Sequence, residues 1–271
     1  MVVFPNCKIN IGLNILGKRE DGYHNLQTVF LPIVINDVLE VIEGSNTQHI
    51  IYSSSGIHVP GNPENNLCVK AYQLLKKDFP SLPSIQMHLH KNVPMGAGLG
   101  GGSADAAFTL SLLNTKFNLH ISSAQLQAYA LELGSDCPFF IINAPCFATG
   151  RGESLERISL DLSDFKIYIV NPGVHISTSL AFSQIDICPH PKDLAKLVAA
   201  PVDKWKHEVV NDFEKPVFAV YPEIAGIKQQ LYDHGASFAS MSGSGSTVYG
   251  IFEKNVTPAL NFPTHYFQRW V

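Results

Sequence analysis

A glycine-rich stretch, Pro94 to Ser103, is the part of the chain whose composition points most directly to chemistry. Five glycines lie between Gly96 and Gly102. Alternating residues predict a strand over 85–90, and apolar residues predict a helix over 108–113. Glycine lets a ligand approach the main chain closely, and a helix start presents unpaired N–H groups at a positive dipole end. The glycine stretch therefore predicts a binding site for an anion, most often phosphate.

Three alternative assignments of the glycine stretch fit the sequence less well. A Walker A loop needs a lysine after its last glycine, and Ser103 stands there instead. The dinucleotide fingerprint matches at Gly96, Gly98 and Gly101, but it also requires an acidic residue about 20 positions later. Residues 119–125 contain no acidic residue. A flexible linker would not be flanked by a strand and an apolar helix.

Lys8 and Asn10 belong to a segment that alternates strictly from Cys7 to Leu16. Because successive side chains of a strand point to opposite faces, Ile9 and Ile11 share one face, and Lys8 and Asn10 share the other. Two interpretations are open at this point. The polar face is either exposed to solvent, or it presents an amine and an amide to a ligand.

Asp136 lies between a predicted helix that ends near Gly134 and an apolar run at 139–142. Pro138 favours an extended Cys137, which would place Asp136 at a junction outside the helix. A carboxylate beside such apolar residues is unusual unless it is paired or functional. An ordinary turn aspartate is the alternative.

Two shorter patterns also stand out. Asp21-Gly22 is a turn signal, and it is followed by the pair Tyr23-His24. The segment Ser242–Ser246 alternates serine with glycine between apolar segments, which distinguishes it from a flexible linker. We refer to Ser242–Ser246 as the serine–glycine loop.

The composition limits the classes of function. The 271 residues are 45% hydrophobic and 15% charged, which fits a globular chain with a sizeable core. The net charge of −4 and the lack of a basic block argue against a nucleic-acid partner. Five scattered cysteines without a Cys-x-x-Cys pair argue against a zinc site and favour reduced thiols. No signal peptide or membrane span is evident, so a cytoplasmic location is expected.

Taken together, these motifs resemble those of the GHMP kinases, which include galactokinase and the homoserine, mevalonate and phosphomevalonate kinases. The second motif of that family usually reads Pro-x-x-x-Gly-Leu-Gly-Ser-Ser-Ala-Ala, and here Ser-Ala-Asp-Ala-Ala follows three glycines. The string Asp-Gly-Tyr-His resembles one branch, whose acceptor is a cytidine diphosphate-linked methylerythritol. The resemblance covers almost the whole chain.

The resemblance also implies a fold. It is an α+β fold in two lobes, of which the first is like ribosomal protein S5 domain 2 and the second is ferredoxin-like. An N-terminal ATP-binding domain is expected at residues 1–155 and a C-terminal domain at residues 156–271, with both substrates in the cleft between them.

The resemblance further implies the reaction and the roles of residues. The γ-phosphoryl group of ATP, with Mg²⁺, would pass to the 2-hydroxyl of that acceptor, a step of non-mevalonate isoprenoid synthesis. Lys8 and Asp136 would be catalytic, with Lys8 paired to Asp136 and Asp136 accepting or orienting the proton of the hydroxyl. The residues implied in ATP binding are Asn66, Pro94, Met95, Gly96, Ala97, Gly98, Leu99, Gly100, Gly101, Gly102 and Ser103. Those implied in acceptor binding are Asn10, Tyr23, His24, Phe182, Gly243 and Ser244.

Two alternatives stay open. One is a different small-alcohol kinase of the same family, of the homoserine or mevalonate type. The other is a relative that binds nucleotide without catalysis. In each case the expected partners are small molecules, with neither nucleic acid nor a membrane, and the sequence indicates no oligomeric state and no Mg²⁺ ligands.

A branched side chain at Gly101 is expected both to strain the backbone and to block the phosphates.

Asp136→Asn and Lys8→Ala are each expected to lower kcat by about 10²-fold or more, the scale of lost acid–base assistance. The affinity for ATP should stay within several-fold of wild type, because neither residue is assigned to nucleotide binding. Steady-state kinetics and equilibrium ATP titration measure the two quantities. Near-normal turnover by Asp136→Asn would remove this carboxylate from the chemistry.

Overall fold

The computed structural model describes residues 1–44, 49–177, 181–182, 185, 187 and 192–271, in which helices and strands mix as an α+β protein. The strands are β1 (Val2–Val3), β2 (Asn6–Lys18), β3 (His24–Asn36), β4 (Val38–Glu43), β5 (Ile50–Gly56), β6 (Ile85–Lys91), β7 (Cys146–Thr149), β8 (Ser154–Arg157), β9 (Phe165–Asn171), β10 (Phe238–Met241), β11 (Val248–Glu253) and β12 (Phe267–Trp270). The helices are α1 (Leu67–Asp78), α2 (Gly101–Lys116), α3 (Ser123–Leu133), α4 (Cys137–Ile142), α5 (Leu194–Val198), α6 (Glu214–Val220) and α7 (Pro222–Asp233), with short 3₁₀ helices at Pro63–Asn65 and Val202–His207.

The chain forms two compact units, and each is assembled from separate segments. The first unit contains residues 1–7, 34–95 and 100–144, and the second contains residues 8–33, 96–99 and 145–271. This division does not coincide with a single boundary near residue 155, because residues 8–33 and 96–99 pack with the later part of the chain. The assignment of domains to 1–155 and 156–271 stays a prediction.

The first unit contains a sheet and the helices α1–α4. Within the described residues the strand order is β1-β4-β6-β5, with β5 parallel to β6 and the other pairs antiparallel. The core of this unit includes Leu39 and Met87 from the sheet, together with Leu75, Leu110 and Leu126 from α1, α2 and α3. Burying a side chain of this size stabilises the fold by about 1.5–3 kcal/mol. This core fixes the helix that follows the glycine stretch.

Local sequence signals set where the helices of the first unit begin. The spacing of Ser122 and Gln125, three positions apart before an apolar run, predicts a capping box, and the structure confirms it at the start of α3. The prediction of an extended Cys137 is wrong, because Cys137 is the first residue of α4. Pro138 occupies the second helical position, where a proline nitrogen interrupts no helical hydrogen bond. Asp136 therefore directly precedes a helix, and it lies beyond the end of α3 as predicted.

The second unit holds most of β2-β3-β7-β8 and all of β10-β11-β9-β12, each four-stranded within the described residues. The order of the latter sheet matches the β-α-β-β-α-β plan of ferredoxin-like folds. The second helix of that plan is absent. Residues 254–266, which connect β11 to β12 and are all described by the structure, contain no helix. The core of this unit includes Val170, Ile227, Leu231 and Met241.

Both faces of β2 are covered over its first part. Every residue from Asn6 to Ile15 is buried, including Lys8 and Asn10. Solvent exposure of the polar face, one of the two open interpretations, is therefore wrong.

Across the ranges that the structure describes, none of the helices combines the length and apolar character needed to cross a membrane.

Candidate active site

The Lys8 side chain is held in a fixed position inside the second unit. Its ammonium donates to Asn10 Oδ1 at 2.6 Å and to the carbonyl oxygen of Gly98 at 3.2 Å. It also lies 5.0 Å from the centre of the Phe30 ring, within range of a cation–π contact. Since Lys8 is only 3% exposed, these contacts restrict where its charge is directed.

Asn10 orients Lys8 through a chain of buried hydrogen bonds. Its Nδ2 donates to Thr28 Oγ1 at 2.9 Å, and Thr28 Oγ1 donates to the Gly12 carbonyl at 2.6 Å. The amide is thereby fixed with its oxygen toward the Lys8 ammonium. The adjacent positions of Lys8 and Asn10 on one strand face, predicted from alternation, produce this contact.

Ser242 connects the serine–glycine loop to both β2 and the glycine stretch. Its Oγ donates to the Gly98 carbonyl at 2.8 Å and accepts from the Asn10 backbone N–H at 3.1 Å. A Cβ on Gly98 would lie 2.0 Å from the Ser242 carbonyl oxygen, and the φ of Gly98 is +79°. Close packing and backbone conformation together require glycine at this position.

Gly243 and Ser244, predicted to contact the acceptor, belong to the same serine–glycine loop. A Cβ on Gly243 would lie 3.3 Å from Gly98 Cα and 3.4 Å from Asn10 Oδ1. The predicted residues Lys8, Asn10, Gly98 and Gly243 therefore come together within the second unit.

A segment without an assigned role, Asn211–Glu214, holds this arrangement in place. The Asn211 amide donates to the carbonyls of Met241 and Gly243, at 2.7 and 2.8 Å, on either side of Ser242. Asp212 accepts from the Ile15 backbone N–H at 2.8 Å, and Glu214 accepts from the Met241 N–H at 2.8 Å. In the sequence this segment resembles a string of the GHMP kinases, but its residues alone predict no role.

The last part of the glycine stretch, residues 100–103, lies in the first unit and forms the start of α2. Gly100 precedes the helix in the left-handed conformation, with φ +68°. Gly101 is already helical, so the predicted backbone strain at Gly101 is wrong. A Cβ there would instead approach Val93 Cγ1 at 3.0 Å.

A cavity of about 200 Å³ opens beside this helix start in the first unit. The predicted ATP-binding residues Asn66, Met95 and Gly102 all line it. Asn66 also caps α1, since its Oδ1 accepts from the Cys68 N–H at 2.9 Å while its Nδ2 donates to the Tyr52 hydroxyl at 2.9 Å. Asn66 therefore combines helix capping with a position on the cavity wall.

Asp136 and Ser103 are both close to Cys137 in the first unit. Burial raises the pKa of the Cys137 thiol to about 12, the Asp136 charge adds to this effect, and a hydrogen bond with Ser103 opposes it. The carboxyl at the start of α4 is thus near the helix that follows the glycine stretch.

The three aromatic residues predicted around the acceptor base are only partly brought together. The rings of His24 and Phe182 stack with centroids 4.6 Å apart, and Phe213 packs edge-on against Phe182 at 4.8 Å. Tyr23 is exposed, and its ring faces the guanidinium of Arg151 at 4.7 Å.

The chain matches two family descriptions in order along its length. Residues 66–144 match the GHMP kinases N terminal domain, and residues 194–261 match the GHMP kinases C terminal domain. The chain belongs to the GHMP kinase family, and its α+β architecture is the two-lobed fold of that family.

Particular relatives narrow the similarity. The chain is 50% identical, over 98% of its length and 100% of the relative's, to a 4-diphosphocytidyl-2-C-methyl-D-erythritol kinase of Azobacteroides pseudotrichonymphae. A crystal structure of 4-(cytidine 5'-diphospho)-2C-methyl-D-erythritol kinase superposes with a TM-score of 0.80 at 29% identity, covering 93% of this chain and 90% of the other. A mevalonate kinase of Methanococcus jannaschii superposes with a TM-score of 0.70 at 13% identity, covering 94% and 92%, which shows the fold alone.

Gly102→Ala tests whether the cavity binds ATP. A Cβ on Gly102 meets no described atom within 4 Å, so the methyl group would project into open space beside the cavity, where ATP is expected to bind. We expect KM for ATP to rise about tenfold while the protein stays folded. Gly226→Ala in α7 is the matched control, since its Cβ also meets no described atom within 4 Å. Both variants should gain slightly in melting temperature, because alanine favours a helix by up to about 1 kcal/mol. Equal ATP kinetics in the two variants would contradict the assignment.

Ser242→Ala tests the connection between the serine–glycine loop and Lys8. Because the Gly98 carbonyl and the Asn10 N–H both lose a partner, we expect kcat to fall about tenfold, as for a lost hydrogen bond next to a charged group. Ser246→Ala is the control. Ser246 is equally buried, and its hydroxyl donates to the Val174 carbonyl and accepts from Asn171. A similar fall in kcat for both variants would show general loosening of the loop instead.

Proposed function

We propose that this chain transfers the γ-phosphoryl group of ATP to the 2-hydroxyl of 4-diphosphocytidyl-2-C-methyl-D-erythritol, a step of non-mevalonate isoprenoid synthesis. The observation that carries the proposal is the 50% identity, over nearly the full length of both chains, to a 4-diphosphocytidyl-2-C-methyl-D-erythritol kinase. The arrangement around Lys8 supports it, since a fixed ammonium suits a reaction that moves a charged group.

The nucleotide is proposed to use the cavity and the glycine stretch. Phosphoryl transfer depends mainly on positioning and on stabilising charge at phosphate oxygens. The N–H groups at the start of α2 are suited to this, because Gly100 supplies no side chain to cap them. The base and ribose would lie in the cavity beside Asn66, with the phosphates along Gly98 to Ser103.

Lys8 and Asp136 are proposed to act on the transferred group and the acceptor hydroxyl. Lys8 would offset the charge that develops on the phosphoryl group, and its hydrogen bonds to Asn10 and Gly98 hold it ready for that role. Asp136 would orient the hydroxyl or accept its proton.

Mg²⁺ is proposed to accompany ATP. Mg²⁺ is usually held by one or two carboxylates together with substrate phosphates, not by a cage of protein ligands. Among the described residues no group of three His, Cys, Asp or Glu side chains could hold a metal ion. Asp136 is the carboxylate that would contribute, and the bound ion would offset phosphate charge.

The acceptor is proposed to bind in the second unit. The His24–Phe182 pair and Tyr23 would surround the cytosine, and Asn10, Gly243 and Ser244 would lie near the methylerythritol. Stacking on an aromatic ring is worth about 1–3 kcal/mol per base, but stacking alone does not separate cytosine from uracil. Discrimination requires hydrogen bonds, and His24 is the polar member of the set.

A panel of acceptors tests the proposal. ADP release should be rapid with the diphosphocytidyl substrate, slower with its uridyl analogue, and at background with mevalonate and homoserine. Tyr23→Ala should raise KM for both pyrimidine substrates by about tenfold, because it removes stacking that both bases share. His24→Ala should affect the cytidyl substrate more and narrow the gap between the two.

Turnover of mevalonate or homoserine at a rate equal to that of the cytidyl substrate would overturn the proposed acceptor. Equal effects of His24→Ala on both pyrimidine substrates would assign the ring to packing and leave base selection to backbone groups. In each variant ATP affinity serves as the internal control, since none of these residues is assigned to the nucleotide.

A further inference from the structure

Three charged side chains are buried together near the start of α2. The ammonium of Lys91, the last residue of β6, donates to Asp37 Oδ2 and, at 2.7 Å, to Asp105 Oδ2. Asp37 lies between β3 and β4, and Asp105 is the fifth residue of α2. All three side chains belong to the first unit and are almost fully buried. We term Asp37, Lys91 and Asp105 the buried brace.

The buried brace holds the chain on both sides of the glycine stretch. Asp37 Oδ1 accepts from the backbone N–H groups of Asn92 and Val93, at 2.6 and 2.9 Å, immediately before Pro94. Asp105 follows the stretch, on the helix whose first turn is proposed to face the phosphates. One ammonium therefore ties the strand that enters the stretch to the helix that leaves it.

The buried brace also reaches the cavity. Lys91 and Asp105 line its wall together with Asn66, Met95 and Gly102. Asp105 Oδ1 is buried and has no hydrogen-bond partner. An unpaired buried oxygen destabilises a fold, so its presence points to a role other than stability.

The charges of the buried brace do not cancel when both carboxyls are ionised. Burial would lower the pKa of Lys91, but the two carboxylates outweigh it and raise that pKa, so the ammonium stays charged. Burial raises the pKa of Asp105 to about 7, the Asp37 charge adds to this, and Lys91 opposes it. Among the residues that the structure describes, the Cys68 thiol of α1 and the Tyr52 phenol of β5 also interact with Asp105.

We propose that the buried brace positions the glycine stretch for ATP, and that Asp105 takes up a proton from solvent when ATP binds. The proposal rests on the proposed function, since it takes the cavity as the nucleotide site. A neutral Asp105 leaves the buried brace without net charge, whereas an ionised Asp105 adds one negative charge beside a polyanion. ATP therefore favours the protonated form, and by linkage the protonated form favours ATP.

The sign of the pH effect follows from this charge count. Below about pH 7 Asp105 is neutral and ATP binds best. As the pH rises through 7, Asp105 ionises in the free protein, and KM for ATP should increase between pH 6 and pH 8. Asp105→Asn should remove this increase. It should keep the hydrogen bond from Lys91, because the amide can turn its oxygen toward the ammonium and its nitrogen toward the unpaired position.

Kinetics separate positioning from general stability. Asp105→Leu removes the tie between Lys91 and α2, and we expect KM for ATP to rise about tenfold with KM for the acceptor within about twofold of wild type. Thr109→Val is the matched control, because it removes a buried hydrogen bond one turn further along α2, from the Thr109 hydroxyl to the Asp105 carbonyl. Equal kinetics of Asp105→Leu and Thr109→Val would overturn the positioning role.

Calorimetry with ATP alone measures the proton directly. ATP is titrated at pH 7 in two buffers of different ionisation enthalpy. Wild type and Thr109→Val should take up about half a proton more per ATP than Asp105→Asn, because a group with pKa near the working pH is half protonated before binding. Equal proton uptake by wild type and Asp105→Asn would overturn the proposal. This titration needs no acceptor, so it tests the buried brace even if the wild type fails to phosphorylate the cytidyl substrate.

Discussion

The carbonyl oxygen of Gly98 accepts hydrogen bonds from both the Lys8 ammonium and the Ser242 hydroxyl, and the arrangement of the second unit depends on this shared acceptor. A buried amine is costly unless it is paired with acceptors. Hydrogen bonds to charged groups are worth about 1.5–3 kcal/mol each, so Lys8 is held strongly where its acceptors are placed. Placing the Gly98 carbonyl therefore places the amine.

The need for glycine at several positions follows from the same constraint. The Ser242 backbone lies against Gly98 Cα, where a side chain would collide. Only glycine can therefore occupy this position and present its carbonyl to Lys8. A Cβ on Gly243 would lie 3.3 Å from Gly98 Cα, and the φ of Gly243 is +57°, so this position also favours glycine. Asn211 then fixes the loop by binding the carbonyls on both sides of Ser242. Phosphate binding is thus only one reason for the glycines, and close packing of two loops is another.

The sequence predicted those features of the fold and of the site that depend on local patterns. Strand alternation paired Lys8 with Asn10, glycine content marked the loop, and the cap at Ser122 followed from its spacing to Gln125. Long-range contacts carry no comparable signal. Ser242 is 144 positions from Gly98 in the chain, and nothing near Asn211 indicates which carbonyls its amide binds.

Charged residues were the hardest to interpret from sequence. The buried brace joins Asp37, Lys91 and Asp105, and each of these in isolation resembles an ordinary surface charge. The error at Cys137 has a similar origin, because Pro138 restricts its neighbour in an open chain but is also well suited to the first turn of a helix. Tertiary packing decided between the two conformations.

Ser242 should act on the reaction through the position of Lys8, and a double-mutant cycle on kcat isolates this coupling. Ser242→Ala is measured in the wild type and in Lys8→Ala, with melting temperatures recorded for all four proteins. Residues that act as a unit are not additive. We expect Ser242→Ala to lower kcat about tenfold when Lys8 is present and less than about twofold when it is absent. An equal fold-decrease in both backgrounds would contradict a role for Ser242 in placing the amine.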